Sequence, residues 1–233
     1  HCAQAIYGLT RDGRRDRSFN SGRPAEAVSC DAFELAASGD GVFALGTELG
    51  PLPAPLDLAV FNRSGRLARL VRQIVGARLL LASGVYPAAG RVITVAGVYR
   101  EVSGEPQCAG TLVAGYTPAG RADRTYAASG RALLAGCSAL SAAQPGGKVL
   151  LDDYPQPGGL QITRLTAHGR PDPAFGAGGT ITVTKLSAAK FYPSRLIAAG
   201  SRALYLVGTD YIRTGTGTGS AAHLFAAKLI RTR

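Results

Sequence analysis

This sequence of 233 residues contains no methionine and no tryptophan, only three histidines, and only four lysines, Lys148, Lys185, Lys190 and Lys228. No stretch reaches the ~18 apolar residues that a membrane-spanning helix needs. The nearest candidate, IVGARLLLASGV from Ile74, is interrupted by Arg78 and reads as a buried strand. With aromatics at 7%, few rings are left for a base-stacking platform interleaved with basic residues. The histidines, His1, His168 and His223, are scattered, and there is no G-x-S-x-G, HExxH or C-x-x-C. The local signatures of nucleophilic hydrolases and of zinc sites are therefore missing, and no cofactor is implied. Because the chain starts at His1 and has no methionine, residue 1 is not an initiator, and a removed signal peptide or an upstream cut is expected.

What is present is the composition of a folded globular protein, 46% hydrophobic and 18% charged. The 31 glycines and 13 prolines imply many turns and numerous short strands. Twenty-six basic residues against 15 acidic ones give a net charge of +11. A polyanion such as nucleic acid, teichoic acid or acidic polysaccharide would account for that balance. So would a surface that simply uses arginine, since the arginines are spread along the chain and do not gather in one run. Of the four cysteines, Cys2 and Cys30 are 28 residues apart, and Cys108 and Cys137 are 29 apart. Each pair brackets a similar stretch, CAQAIYGLTRDGRRDRSFN and CAGTLVAGYTPAGRADRTY. Two local disulfides, Cys2–Cys30 and Cys108–Cys137, are expected, with an extracellular, cell-surface or periplasmic location; four reduced, buried thiols are the alternative.

A repeat runs through the whole chain. YGLTRDG ends at Gly13, LAVFNRSG at Gly65, LVAGYTPAG at Gly120 and ITRLTAHG at Gly169, with a partial copy, FAAKLIRTR, from Phe225. After the glycine, three copies continue alike: GRRDRSF, GRADRTY and GRPDPAF. They share Asp16, Asp123 or Asp172 and then Phe19, Tyr126 or Phe175. The copy at Gly65, GRLARLV, lacks both the acid and the aromatic. Each copy also carries a hairpin signal of apolar runs around a turn: ELAASGDGVFALG, VYPAAGRVITVAG, ALSAAQPGGKVLLDD and LIAAGSRALYLVG. These features predict about four short strands per repeat and an all-β fold, a β-propeller of about four to five four-stranded repeats of roughly 50 residues. The repeat units lie at approximately 3–56, 57–109, 110–158, 159–222 and, in part, 223–233. They form a single propeller domain, either a small closed ring or part of a larger one.

LTAHGRPDPAFGAGGTITV and AAQPGGKVLL resemble the delta-60 repeat of exported bacterial proteins, whose units read approximately N-P-D-G-S-L-D-x-S-F-G-x-G-G-K-V and then Q-P-D-G-K-I-L-V-A-G. The resemblance covers essentially the full chain and is sharpest around Gly169. It implies a propeller-like fold and supplies no catalytic residues.

Candidate sites are few. Asp152 and Asp153, in KVLLDDY, are the best acidic pair; Asp152 stands where the other hairpins are aligned with Gly46, Gly97 and Gly208. Two acids at a strand end are expected either to bind a cation or polar ligand at a central channel or to be solvated. RTGTGTGSAAH from Arg213, with Thr214 and Thr216, reads as a loop between strands, a binding loop or a surface insertion. His168 reads as a solvated turn residue. The sequence thus points to a non-catalytic binding or structural module that meets carbohydrate, another cell-surface polymer or a protein through loops on one face. A carbohydrate-active hydrolase or lyase using Asp152 or Asp153, and polyanion binding through arginines, are the alternatives.

Overall fold

The computed structural model describes residues 4–27, 31–39, 41–48, 52–76, 78–88, 90–153, 159–183, 190–200, 203–213 and 220–230. The described regular structure is antiparallel β throughout, apart from one 3-10 turn at Asn20–Gly22. Two compact units are present, His1–Cys137 and Ser138–Arg233.

In the first unit, β1 (Gln4–Ile6) pairs with β2 (Ala25–Ala27). A four-stranded meander follows: β3 (Asp31–Ser38), β4 (Gly41–Thr47), β5 (Leu56–Asn62) and β6 (Leu67–Gln73). The next is β7 (Leu79–Ala88), β8 (Arg91–Val102), β9 (Glu105–Tyr116) and β10 (Arg131–Leu134). The second unit holds β11 (Ser141–Gln144), β12 (Lys148–Asp153), β13 (Leu160–Leu165) and β14 (Thr180–Val183). It also holds a three-stranded sheet of β15 (Lys190–Ala199), β16 (Ala203–Arg213) and β17 (Ser220–Ile230).

Apart from the β1–β2 pair, each sheet takes its first two strands from the hairpin that closes one sequence repeat and its next strands from the start of the following repeat. Successive repeats are thereby joined by ladders of backbone hydrogen bonds. The central strands β4 and β5 are apolar on both faces because both faces are covered: Leu45 and Leu58 enter one core cluster, and Ala44, Ala59 and Phe61 on the opposite face enter another. Of the edge strands, β10, β11 and β14 have four residues each and β6 exposes five of its seven side chains, features that discourage pairing with another chain.

Two details differ from the sequence reading. The buried strand expected from Ile74 begins at Leu79, and Ile74 is itself 52% exposed; Gly76 at φ 58° breaks the run before the strand starts. The Cys108–Cys137 disulfide is present, with a Cα–Cα distance of 5.8 Å, and ties β9 to the segment after β10. Cys2, Cys30, Thr214 and Thr216 lie outside the described residues. No helix among the described residues is long and apolar enough to cross a membrane.

Candidate functional site

The repeated turn is built by local hydrogen bonding. The N–H groups of Gly13, Gly65, Gly120 and Gly169 donate to the carbonyls of Thr10, Asn62, Thr117 and Thr166 at 2.8–2.9 Å. Those four residues in turn donate their own N–H to the carbonyls of Arg14, Arg66, Arg121 and Arg170. The geometry requires positive φ at the glycine, which is 71–75° in all four.

Three of the turns run on into a second lock. Asp16, Asp123 and Asp172 donate their N–H to the carbonyls of Gly8, Gly115 and Arg164, and accept at their own carbonyls from the N–H of Phe19, Tyr126 and Phe175. Each Oδ1 accepts the N–H two residues on, from Ser18, Thr125 or Ala174 at 2.8–3.1 Å, the Asx arrangement that makes aspartate a turn residue. The Ser18 and Thr125 hydroxyls add a bond of 2.6 Å. For Asp16 these two bonds lower the carboxyl pKa. Phe19, Tyr126 and Phe175 are consequently driven inward and are all buried. The glycines of GRPDPAFGAGG and its counterparts are thus consumed by architecture. A side chain at Gly65 would meet the Phe19 ring at 2.9 Å, and one at Gly120 would meet Val60 and Arg69 at 2.9 Å.

Behind the corner acid stands a cation. Val42, Val92 and Val149 lie opposite Phe61, Tyr116 and Leu165, each four residues before its turn glycine, so Gly41, Arg91 and Lys148 are equivalent. Arg91 pairs with Asp123 at 3.2 Å and Lys148 with Asp172 at 2.8 Å. The copy that has Ala68 in place of the acid has Gly41 in place of the cation. At the Gly169 corner a second cation is added: Arg164, 4% exposed, donates from Nε to Asp172 Oδ2 at 2.8 Å and lies 4.5 Å over the Phe175 ring. Lys148 first, then the Ala174 N–H and the Arg164 charge, hold the Asp172 carboxyl below its ordinary range against the opposing effect of burial. Arg164 was missed in the sequence, although it occupies the place, five residues before the turn glycine, that Gly8 and Gly115 hold in two other copies.

Asp152 is not solvated: it is 3% exposed. Its Oδ1 accepts from the Leu140 N–H at 2.7 Å and from the Ser138 hydroxyl at 3.1 Å. Burial pushes its pKa up, opposed by those bonds. Register also corrects the alignment. Asp152 faces Ile162, seven residues before Gly169, as Leu45 faces Leu58 before Gly65 and Val95 faces Val113 before Gly120. The acid therefore replaces a core leucine or valine and not a glycine. Neighbouring residues on a strand point to opposite faces, so Asp152 and half-buried Asp153 do not converge as a pair. His168 is exposed at the turn, as expected. No group of three or more metal-ligating side chains occurs among the described residues.

No family model and no curated protein matches this chain. Among solved structures it has a similarity to the GH43 endo-arabinanase from Bacillus licheniformis, at 11% identity over 85% of this chain and 93% of that one, with a TM-score of 0.29. A likeness of that size carries no argument about what this chain does.

Proposed function

We infer that this protein is an exported, non-catalytic binding module of β-propeller type, built from delta-60-like repeats, which meets a carbohydrate or other cell-surface polymer through the turns on one face. The observation that carries the reading is where five of the fifteen acids, including every buried one among the described residues, are spent. General acid–base hydrolysis of a glycoside needs two carboxyl groups facing a common space. Here Asp16, Asp123 and Asp172 fix corners, Asp152 binds the Ser138–Leu140 segment, and buried Asp57 takes a bidentate pair of bonds from Arg72 at 3.0 and 2.9 Å. The disulfide supports an oxidising compartment, and the repeated strand–turn–corner unit supports radial stacking of the sheets.

The test is a paired assay on a panel of neutral and acidic polysaccharides, measuring retention of the protein on each polymer and release of reducing ends. Retention without release is expected. Release that disappears in Asp152→Asn would overturn the non-catalytic reading.

A further inference from the structure

We propose that the repeat corners of the first unit form a contiguous arginine ridge that binds an anionic polysaccharide, one bearing carboxylate or sulfate groups; this rests on the binding-module reading above. The arginines look scattered in the sequence, yet their positions within the repeat are fixed. An arginine follows the turn glycine in all four copies, Arg14, Arg66, Arg121 and Arg170, and another stands three residues later in three of them, Arg17, Arg69 and Arg124. All seven are exposed. None enters an ion pair among the described residues, in contrast to Arg72, Arg91 and Arg164.

Within the first unit the corners touch one another. The Asn20 N–H donates to the Ser64 carbonyl at 2.6 Å, and Gly65 approaches Phe19, which places the Arg14–Arg17 corner against the Arg66 turn. The stem of Arg69 packs on Gly120, the residue before Arg121. Stacked sheets lie ~10 Å apart, so successive corners present positive charge at a regular interval suited to an extended polymer. The nearby acids do not cancel it. Asp123 is paired with Arg91, which leaves Asp12 and Asp16, held ionised by its bonds to Ser18, as two carboxylates against the six corner arginines Arg14, Arg17, Arg66, Arg69, Arg121 and Arg124.

The choice of arginine has chemical content, because the first 137 residues hold fifteen arginines and no lysine. A guanidinium fork matches the two oxygens of a carboxylate or sulfate, whereas an ammonium acts as a point charge. Nucleic acid is disfavoured because the corner aromatics offer no stacking face: Phe19 and Tyr126 are buried, and the half-exposed Tyr7 ring already carries the Arg15 guanidinium at 5.0 Å.

The test compares Arg66→Gln/Arg69→Gln/Arg121→Gln with Arg78→Gln/Arg100→Gln/Arg195→Gln, which removes the same charge away from the corners. The probes are heparin, polygalacturonate, a neutral amylose and a single-stranded DNA oligonucleotide, each titrated across a salt series, with the melting temperature of each variant checked against the parent. Heparin and polygalacturonate are expected to bind with a steep salt dependence. The corner variant should lose roughly 10–100-fold in affinity and flatten the salt slope, while the control variant should change by about twofold at most. Equal losses in the two variants would assign binding to net charge and overturn the ridge. Equal or tighter binding to DNA would overturn the glycan assignment. Binding to amylose alone would overturn this inference and leave the binding-module reading intact, whereas retention on no polysaccharide removes both.

Discussion

The corners at Gly120 and Gly169 have the same backbone and opposite interiors. At the first, the residue beneath the aromatic is Gly115, where even a methyl group would stand 2.5 Å from Tyr126 Cβ. At the second it is Arg164, a buried guanidinium between Phe175 and Asp172. The hydrogen bonds that define the corner are identical in the two. The turn is therefore specified by local chemistry alone, and what fills the space behind it is a separate choice. Absence of a side chain and a fully paired charge are alternative solutions to it. The pair is the more fragile, because a buried ion that loses its partner keeps its desolvation cost.

Breaking the Gly169 corner should have the largest effect. Arg164→Ala leaves Asp172 buried with only Lys148 and opens a void under Phe175, so a loss of about 3–5 kcal/mol is expected in urea unfolding. A loss below about 1 kcal/mol would mean the guanidinium is dispensable. Replacing both Cys108 and Cys137 with serine comes next. The bond closes a span of 29 residues, and its removal should cost about 3–4 kcal/mol by loop-closure entropy; peptide mapping without reductant would check that it forms. Gly115→Ala should cost about 1–3 kcal/mol, because Tyr126 must move. An unchanged midpoint would show that the two corners differ less than their contacts suggest.

Tyr126 offers the smallest effect. Its hydroxyl is buried with no hydrogen-bond partner among the described residues, where the other two corners use phenylalanine. Tyr126→Phe should thus be neutral or stabilising by up to about 1 kcal/mol.

The acids of the second unit sharpen the contrast through pH. Asp172 has a depressed folded pKa, so its stabilisation is present above the unfolded value of about 3.9 and is lost as pH falls through the folded one. Asp152 has a raised pKa, so its cost appears as pH rises from about 3.9 through the folded value. Stability curves of Asp172→Asn and Asp152→Asn against the parent should therefore diverge in opposite directions between pH 3 and 7, the first falling below the parent and the second meeting or exceeding it. Parallel curves would refute the assignment.

The corners were legible in the sequence because glycine at positive φ, an Asx-bonding aspartate and an apolar ring act within a few residues of one another. The hairpins were legible for the same reason. Asp152 was not, since its neighbours are set by cross-strand register: counted from the equivalent residues Val42, Val92 and Val149, Gly46 and Gly97 stand four and five places on, and Asp152 three. Arg164 was hidden because its partners, Asp172 and Phe175, lie across a turn and its charge argues against burial until the pairing is known. The arginine ridge is periodic in sequence, yet only the contacts of Asn20 with Ser64 and of Arg69 with Gly120 bring its members together.

The disulfide has a mechanical meaning. β10 is an edge strand held to β9 by a ladder of four residues, Arg131 to Leu134, and an edge strand pulled from its end would peel away one bond at a time. Cys137 follows three residues after the strand and is covalently fixed to Cys108 on β9. Tension arriving from Ser138 onward passes through that bond into β9, a strand paired on both sides. The edge strand β10 is in this way bypassed, and force enters the sheet at a strand that is hydrogen-bonded on both sides.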